Sequence, residues 1–278
     1  MPQPTTQYKW TRFMTQRTDI EKDLVEICSA VLEHPVEATV ARANDATWDS
    51  LRHMQIIFAV EEKYDIQFTE AEIHAAVEAA ENWGTYVTIH AYTPRAIRQA
   101  IAAGVKCIEH GQLIDEPTAK LLADKGIWWS LQPLTYDADV FARMTPVSQR
   151  KALEVFAGTE TAYKLAKKYN VKTAFGTDIL FNAGAATRQG AYLAQMVRWY
   201  TPAEALKMAT ADNGELMALS GFINPYPGKL GVVETGALAD LLLVEGNPLE
   251  NIQLVTDPDK NFLIVMKDGA IYKNTLPR

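Results

Sequence analysis

The sequence predicts an α/β fold for most of the chain, with a small all-α helical bundle ahead of it. Four short apolar runs rich in β-branched residues alternate with helical stretches, a pattern typical of parallel strands joined by right-handed crossovers. Polar side chains follow these runs, as they do at the carboxyl rim of a (β/α) barrel. After Gly221 the pattern changes to short strands separated by glycine-containing turns, which predicts a small β appendage.

The helical bundle is predicted from hydrophobic spacing between about residues 18 and 73. Apolar residues recur at helical spacing from Ile20 to Leu32, with Thr18 or Asp19 as the expected cap and Pro35 as the stop. A second helix is expected to begin at Asp49 or Ser50. A third helix is expected after Thr69, because Thr69 and Glu72 form the sequence pattern of a capping box.

The α/β part is predicted from four strand–helix units. The expected strands are TYVTIH (85–90), VKCIEH (105–110), IWWSLQP (127–133) and VKTAFGTD (171–178). Thr93 and Pro94 have the cap and first-turn positions of the helix after the first strand. Near the end of the chain, LIVMKDGAIYK predicts a hairpin that turns at Asp268-Gly269.

Composition limits the function classes. The chain has 278 residues, 48% of them hydrophobic, and a formal net charge of -7, which suits a protein with a real core and argues against nucleic acid as a partner. No apolar run approaches the ~20 residues of a membrane span, and the polar N-terminus lacks a signal-peptide pattern. We therefore expect a cytoplasmic protein without a membrane partner. Cys28 and Cys107 lie in apolar runs and are expected to be buried free thiols.

Three strand ends carry the residues that indicate chemistry. His90, His110 and Asp178 each complete a predicted strand, so they are expected to meet at one rim of the sheet. Two imidazoles and a carboxylate are ligands for a divalent metal that activates water. Zinc is the first expectation, and Mn²⁺, Co²⁺ or Fe²⁺ would also suit these ligands. The alternative is a buried polar cluster with a structural role.

The α/β part resembles the amidohydrolase superfamily, within the imidazolonepropionase-like and Xaa-Pro or Xaa-Arg dipeptidase-like branch. The resemblance covers residues ~70–278 and rests on HAYTPRAIRQAIAAGVKCIEHG, FGTD, TPAEALKMAT and GALADLLLVEGNPLENI with VMKDGAIY. It implies the C-terminal half of a metal-dependent (β/α)8 TIM-like barrel. Barrel strands five to eight would occupy residues 73–220, and the β appendage residues 221–278.

The resemblance also implies roles for individual residues. His90 and His110 would ligate one metal of a binuclear pair, and Asp178 would ligate the other and shuttle a proton. Tyr92 would bind a carboxylate or carbonyl oxygen of the substrate, with Gln132 as a weaker candidate for a polar contact. The implied activity is hydrolysis of a C–N bond in a small-molecule dipeptide or cyclic amide.

The sequence departs from that family in two ways. The family's first barrel strand ends in His-x-His and its fourth carries a metal-bridging lysine, and neither can be identified in this sequence. We therefore expect impaired hydrolysis. A half barrel has open strand edges, which predicts self-association or assembly with a chain that supplies the other strands.

Residues 1–72 have a second resemblance. TWDSLRHMQIIFAVEEKYDIQFTEAEI is similar to the central stretch of acyl or peptidyl carrier proteins, which implies a 4′-phosphopantetheine arm on Ser50 and an acyl or aminoacyl carrier as the alternative function. Between Asp49 and Glu72 there are six acidic and two basic residues, a balance suited to basic partner enzymes. The other interpretation is that Ser50 only caps a helix. The two resemblances join within FTEAEI, which fits a recombined, engineered or mis-assembled reading frame as well as a carrier module spliced onto a barrel remnant.

Overall fold

The computed structural model describes residues 6–41, 44, 45, 47, 56, 59, 60, 63, 64, 69–134, 141, 146–179 and 186–276. The chain divides into two compact units, residues 1–68 and 69–278, and each is described by itself. Within the described ranges, no helix combines the length and the apolar character needed to cross a bilayer.

The first unit is built on one long helix, α1 (Thr6–Leu32). The helix begins well before the expected cap at Thr18 or Asp19, because no proline or glycine interrupts residues 6–32 and a cap residue inside a helical stretch does not stop it. It ends where predicted, with Glu33 in the left-handed region at φ 63° and Pro35 beyond. The predicted second helix and its expected start at Asp49 or Ser50 lie largely outside the described residues.

A small core holds the described part of this unit together. Cys28 and Leu32 of α1 pack against Ile56, and all three are buried. On the surface, Asp23 accepts hydrogen bonds from the Tyr64 hydroxyl at 2.9 Å and pairs with the Lys63 ammonium at 2.7 Å. Cys28 is a free thiol, as expected, and burial raises its pKa.

The second unit alternates strands and helices. Its first half contains α2 (Glu70–Asn82), β1 (Thr88–Ala91), α3 (Pro94–Ala102), β2 (Cys107–His110), α4 (Glu116–Lys125), β3 (Trp128–Leu131), α5 (Pro146–Lys168) and β4 (Thr173–Phe175). Its second half contains α6 (Gln189–Gln195), α7 (Pro202–Lys207), α8 (Asn213–Ala218), β5 (Leu241–Val244), α9 (Pro258–Asn261), β6 (Phe262–Lys267) and β7 (Ala270–Asn274).

The predicted parallel sheet is confirmed. Strands β1 to β4 lie in chain order and all pair in parallel, so their carboxyl ends share one edge of the sheet. Within the described ranges the sheet is open, with β1 and β4 at its edges. The predicted caps are also confirmed: Thr69 and Glu72 form a capping box on α2, and Thr93 caps α3 with Pro94 in its first turn.

The main core lies between this sheet and its helices. Ile97, Ile108, Leu122, Trp129 and Tyr163 are fully buried there. The other face of the sheet carries a small cluster of Cys107, Trp128 and Ala174. A well-packed sheet of this kind gives the residues at its carboxyl edge a rigid base.

The sequence predicts one continuous helix over TPAEALKMATADNGELMAL, and the structure differs. Between α7 and α8 the backbone makes one π-helical turn, Met208–Asp212. Such turns interrupt regular helices and redirect the following side chains. Here the side chain that follows is Asn213, which contacts the sheet. The β appendage agrees with prediction: β5, β6 and β7 form an antiparallel sheet, and β6 and β7 join at Asp268-Gly269.

Candidate functional site

The carboxyl edge of the parallel sheet gathers the predicted site residues. His90 lies near the end of β1, His110 is the last residue of β2, Gln132 follows β3, and Asp178 follows β4. Pairing of the Gly176 amide with the Leu131 carbonyl at 3.0 Å extends the sheet one residue past β4, towards Asp178. The four residues therefore come from four adjacent strands at one edge.

The two histidines contact each other directly. His90 Nδ1 lies 2.7 Å from His110 Nε2, and His110 Nδ1 lies 3.0 Å from the Gln132 side-chain oxygen. An amide oxygen only accepts hydrogen bonds, so His110 Nδ1 carries the proton and, in the neutral ring, His110 Nε2 carries the lone pair. His90 Nδ1 is then the donor between the two rings.

Tyr92 stacks on His110. The ring centroids are 4.6 Å apart and the planes are within 6° of parallel. Burial, with a further contribution from the charge of Asp178, raises the pKa of Tyr92 above its ordinary value, so the phenol stays neutral at physiological pH. A neutral phenol beside the histidines can donate a hydrogen bond to an oxygen of a bound molecule.

Asp178 and His110 influence each other's charge. Although Asp178 reaches solvent, loss of water around its carboxylate raises its pKa, and the nearby imidazoles of His110 and His90 oppose that shift. Burial lowers the pKa of His110 and so favours the neutral ring, while Asp178 and the Gln132 hydrogen bond act in the other direction. A neutral imidazole with a lone pair is the form that binds metals.

His110 and Asp178 both adopt left-handed backbone conformations. The φ angle is 74° at His110 and 52° at Asp178. A residue other than glycine in this region costs of order 1–3 kcal/mol, and such strain concentrates at functional sites. A hydrogen bond stabilises the strained backbone of His110: the buried Trp129 indole donates to the His110 carbonyl at 2.7 Å.

Asn213 supports the strand that leads to Asp178. Its side-chain oxygen accepts from the Phe175 amide and its side-chain nitrogen donates to the Phe175 carbonyl, both at 2.9 Å. The amide group thus pairs with β4 as a neighbouring strand would. Asn213 thereby fixes the backbone three residues before Asp178.

Glu109 lies beside the site and points away from His110. Its carboxylate accepts from the Thr88 hydroxyl at 3.0 Å and lies 3.7 Å from the Cys107 thiol. In the register of the sheet it stands opposite His90. Burial and the charge of Glu109 raise the pKa of Cys107 to about 12, so this free thiol is neutral.

Imidazole nitrogens and a carboxylate suit a divalent metal, but the two histidine nitrogens lie too close together to bind one in the present conformation. In the described parts of the chain, no three His, Cys, Asp or Glu side chains are grouped closely enough to hold an ion. Two nitrogens bound tetrahedrally to zinc at about 2.0–2.1 Å would lie roughly 3.3 Å apart, whereas His90 Nδ1 and His110 Nε2 are 2.7 Å apart. The imidazoles would have to separate by about 0.6 Å, a change within the reach of side-chain rotation. His90 Nδ1 would also have to release the proton that it donates to His110.

The remaining residues of interest lie elsewhere. His34 pairs with Asp45 at 3.1 Å in the first unit, and His74 lies 3.8 Å from Glu70 on α2. Ser50 and His53 lie outside the described residues. The carrier resemblance of this region therefore rests on the sequence alone.

Sequence reasoning missed Gln112, Trp129 and Asn213 as supports of the site. Gln112 donates to the Gln132 side-chain oxygen at 3.3 Å. Its position two residues after His110 was the available signal. Trp129 and Asn213 are far in sequence from His110 and Phe175, the residues to which they bond, so no sequence motif indicated these contacts.

The chain is similar to several known proteins. An ochratoxinase from Aspergillus niger is 30% identical over 210 residues, which make up 74% of this chain and 42% of that protein. A prolidase structure, complexed with N-methylphosphonate-L-proline, has 35% identity and a TM-score of 0.67 over 75% of this chain and 50% of that one. A Xaa-Pro dipeptidase structure with bound methionine has 30% identity and a TM-score of 0.63 over the same shares.

The chain thus spans half or less of the length of these relatives. The model of the amidohydrolase family nevertheless matches residues 14–272. This range includes the parallel sheet, the residues at its strand ends and the β appendage. It also includes most of residues 1–72, the part that resembles carrier proteins. On this evidence, the chain belongs to the amidohydrolase family.

Proposed function

We propose that this chain is a metal-dependent hydrolase of C–N bonds in small dipeptides or cyclic amides, with activity reduced relative to family members that carry the His-x-His pair and the bridging lysine. The observation that carries the proposal is that His90, His110 and Asp178 all lie at the carboxyl edge of one sheet, with the two imidazoles in contact and near enough to Asp178 to oppose the rise in its pKa. In barrel enzymes this edge is where the chemistry takes place.

The side chains at this edge have complementary roles in such a reaction. A bound divalent ion, most simply zinc, would polarise the amide carbonyl and bring the pKa of bound water towards ~7. His90 and His110 would hold it through imidazole nitrogens. Asp178 would accept the proton of the attacking water and return it to the leaving nitrogen, a role that its raised pKa suits. The neutral phenol of Tyr92 would donate to a substrate carbonyl or carboxylate oxygen.

The relatives support the substrate class. Two of the solved structures are a prolidase with a proline-containing phosphonate and a Xaa-Pro dipeptidase, and the ochratoxinase has the same level of identity as the dipeptidase. We therefore infer a small substrate whose scissile amide lies next to a carboxylate. The sequence lacks an identifiable His-x-His pair and bridging lysine, so fewer protein ligands would hold the metal and slow turnover is expected.

The decisive experiment measures metal content and hydrolysis together. Purified protein would be analysed for bound metal by elemental mass spectrometry and assayed with a panel of Xaa-Pro dipeptides with added Zn²⁺, Mn²⁺ or Co²⁺. We expect one weakly bound ion and slow hydrolysis, both lost in His110→Ala. His74→Ala is the matched control, because His74 is exposed on α2 and contacts Glu70.

One result would contradict the hydrolase proposal, and another would contradict only the expected impairment. No metal binding and no metal-stimulated hydrolysis would show that the site is not catalytic in this chain. Turnover in the ordinary range of ~1–10³ s⁻¹, abolished by His110→Ala, would support the hydrolase but show that the expected impairment is wrong.

The sequence Asp49-Ser50-Leu51 supports a second candidate function, an acyl or aminoacyl carrier. Incubation with a phosphopantetheinyl transferase and coenzyme A should then add one phosphopantetheine mass, and Ser50→Ala should prevent it. No mass gain, or a gain that persists in Ser50→Ala, would rule this function out.

A further inference from the structure

We infer that Gln132 is a positioning residue that fixes the tautomer of His110, so that His110 Nε2 is the nitrogen offered to a metal. The inference rests on the proposed function for its purpose, but its geometric basis is independent of any metal. It gives the polar contact expected of Gln132 a specific partner, His110.

The orientation of the Gln132 side chain is determined on both sides. Its nitrogen donates to the Ser130 carbonyl at 3.2 Å, and its oxygen receives the Gln112 amide at 3.3 Å and His110 Nδ1 at 3.0 Å. Exchanging the nitrogen and oxygen of Gln132 would set its NH₂ group against the Gln112 NH₂ group and its oxygen against the Ser130 carbonyl. Only the observed orientation satisfies all three contacts.

The three side chains are buried, so their hydrogen bonds to one another determine where the His110 proton lies. Gln112, Gln132 and His110 are 1%, 3% and 4% exposed. Bulk water therefore cannot supply an alternative acceptor for His110 Nδ1, and an unpaired N–H in this environment would cost about 1–3 kcal/mol. The proton is held on Nδ1 and the lone pair on Nε2, which faces His90 Nδ1 at 2.7 Å.

Gln112 contributes through the same oxygen. By donating to Gln132 it makes that oxygen a shared acceptor for two donors from the β2 strand end. The Gln112 side-chain oxygen has no hydrogen-bond partner in the described part of the chain. The contact that Gln112 makes thus helps to orient Gln132, together with the Ser130 carbonyl.

The first measurement is the tautomer itself, in metal-free protein. Histidine labelled with ¹⁵N would be observed by long-range ¹⁵N–¹H correlation, with the His110 signals assigned from His110→Ala. The expected result is a proton on Nδ1 in the wild type and a mixture of tautomers in Gln132→Leu. Gln132→Glu keeps an acceptor and should retain the wild-type tautomer, and Gln253→Leu, the same change at an exposed site, should have no effect.

The second measurement is binding of Co²⁺ alone, followed by its absorption spectrum. Loss of a group that orients a metal ligand typically costs 10–100-fold in affinity, so Gln132→Leu should weaken binding by about that factor, whereas Gln132→Glu and Gln253→Leu should stay near wild type. Circular dichroism would establish that each variant is folded.

The outcomes separate the two proposals. A wild-type His110 protonated on Nε2, or a folded Gln132→Leu with unchanged tautomer, would overturn the inference whether or not metal binds. The wild-type measurement alone decides this if Gln132→Leu does not fold. Failure of wild-type protein to bind any metal, with the expected tautomers observed, would instead count against the proposed hydrolase and leave the positioning role supported.

Discussion

At the scale of single residues, the most constrained point is the turn that ends β2. His110 and Gly111 both have φ 74°, and an ideal Cβ on Gly111 would lie 2.6 Å from the Trp129 indole nitrogen. That nitrogen donates to the His110 carbonyl. Gly111 is therefore required by both backbone conformation and space, and the placement of His110 depends on it.

We predict that Gly111→Ala destabilises the protein by at least about 2 kcal/mol, through left-handed strain and overlap with Trp129. Gly126→Ala is the matched control, because Gly126 has φ 64° and nothing within 4 Å of an added Cβ. Chemical unfolding followed by fluorescence would measure both. Equal losses in the two variants would show that the Trp129 contact does not matter.

The sequence predicted these residues unevenly. His90, His110 and Asp178 were identified because polar residues at the ends of apolar runs are visible in one dimension. The hydrogen bonds that select one nitrogen of His110 were not identified, because Gln132 and Gln112 meet only once the ends of β2 and β3 are aligned. The helix of the first unit was predicted with the wrong start, because capping residues such as Thr18 also occur inside helices.

At the scale of elements, the edge strand β4 depends on a side chain. Asn213 emerges from the π-helical turn Met208–Asp212 and pairs with both backbone polar groups of Phe175. Sequence periodicity predicted a continuous helix here, since a single extra residue in one turn leaves the hydrophobic spacing almost unchanged. The interruption turns Asn213 towards the sheet.

We predict that Asn213→Leu destabilises the protein by about 2–4 kcal/mol, because it leaves the amide and carbonyl of Phe175 without their partner. Asn213→Asp keeps the acceptor for the Phe175 amide and should lose less. Thermal unfolding would rank the three proteins, and hydrogen exchange at the Phe175 amide should accelerate in Asn213→Leu. Unchanged exchange there would contradict the assigned role.

At the scale of the whole molecule, exposed strand surfaces stand out. Strand β1 is an edge of the parallel sheet in the described part of the chain, and Leu241, Leu242 and Leu243 of β5 are exposed. An uncovered edge and an uncovered apolar strand are features that other chains pair with.

We predict concentration-dependent self-association. Light scattering coupled to size-exclusion chromatography should show species larger than a monomer at high protein concentration. Leu242→Lys should reduce them, whereas Lys260→Leu, on α9, should not. If the wild type is a monomer at all concentrations, the β1 edge and the exposed β5 strand do not mediate self-association.

The order of the parallel strands has a consequence for how the chain acquires its structure. Because β1, β2, β3 and β4 neighbour one another in the order in which they are synthesised, each βα unit can dock on the one before it as it leaves the ribosome. Pairing of this kind keeps sequence separations short, which favours rapid folding. No late strand has to return to an early one within this sheet, so its assembly can proceed vectorially from the amino-terminal side.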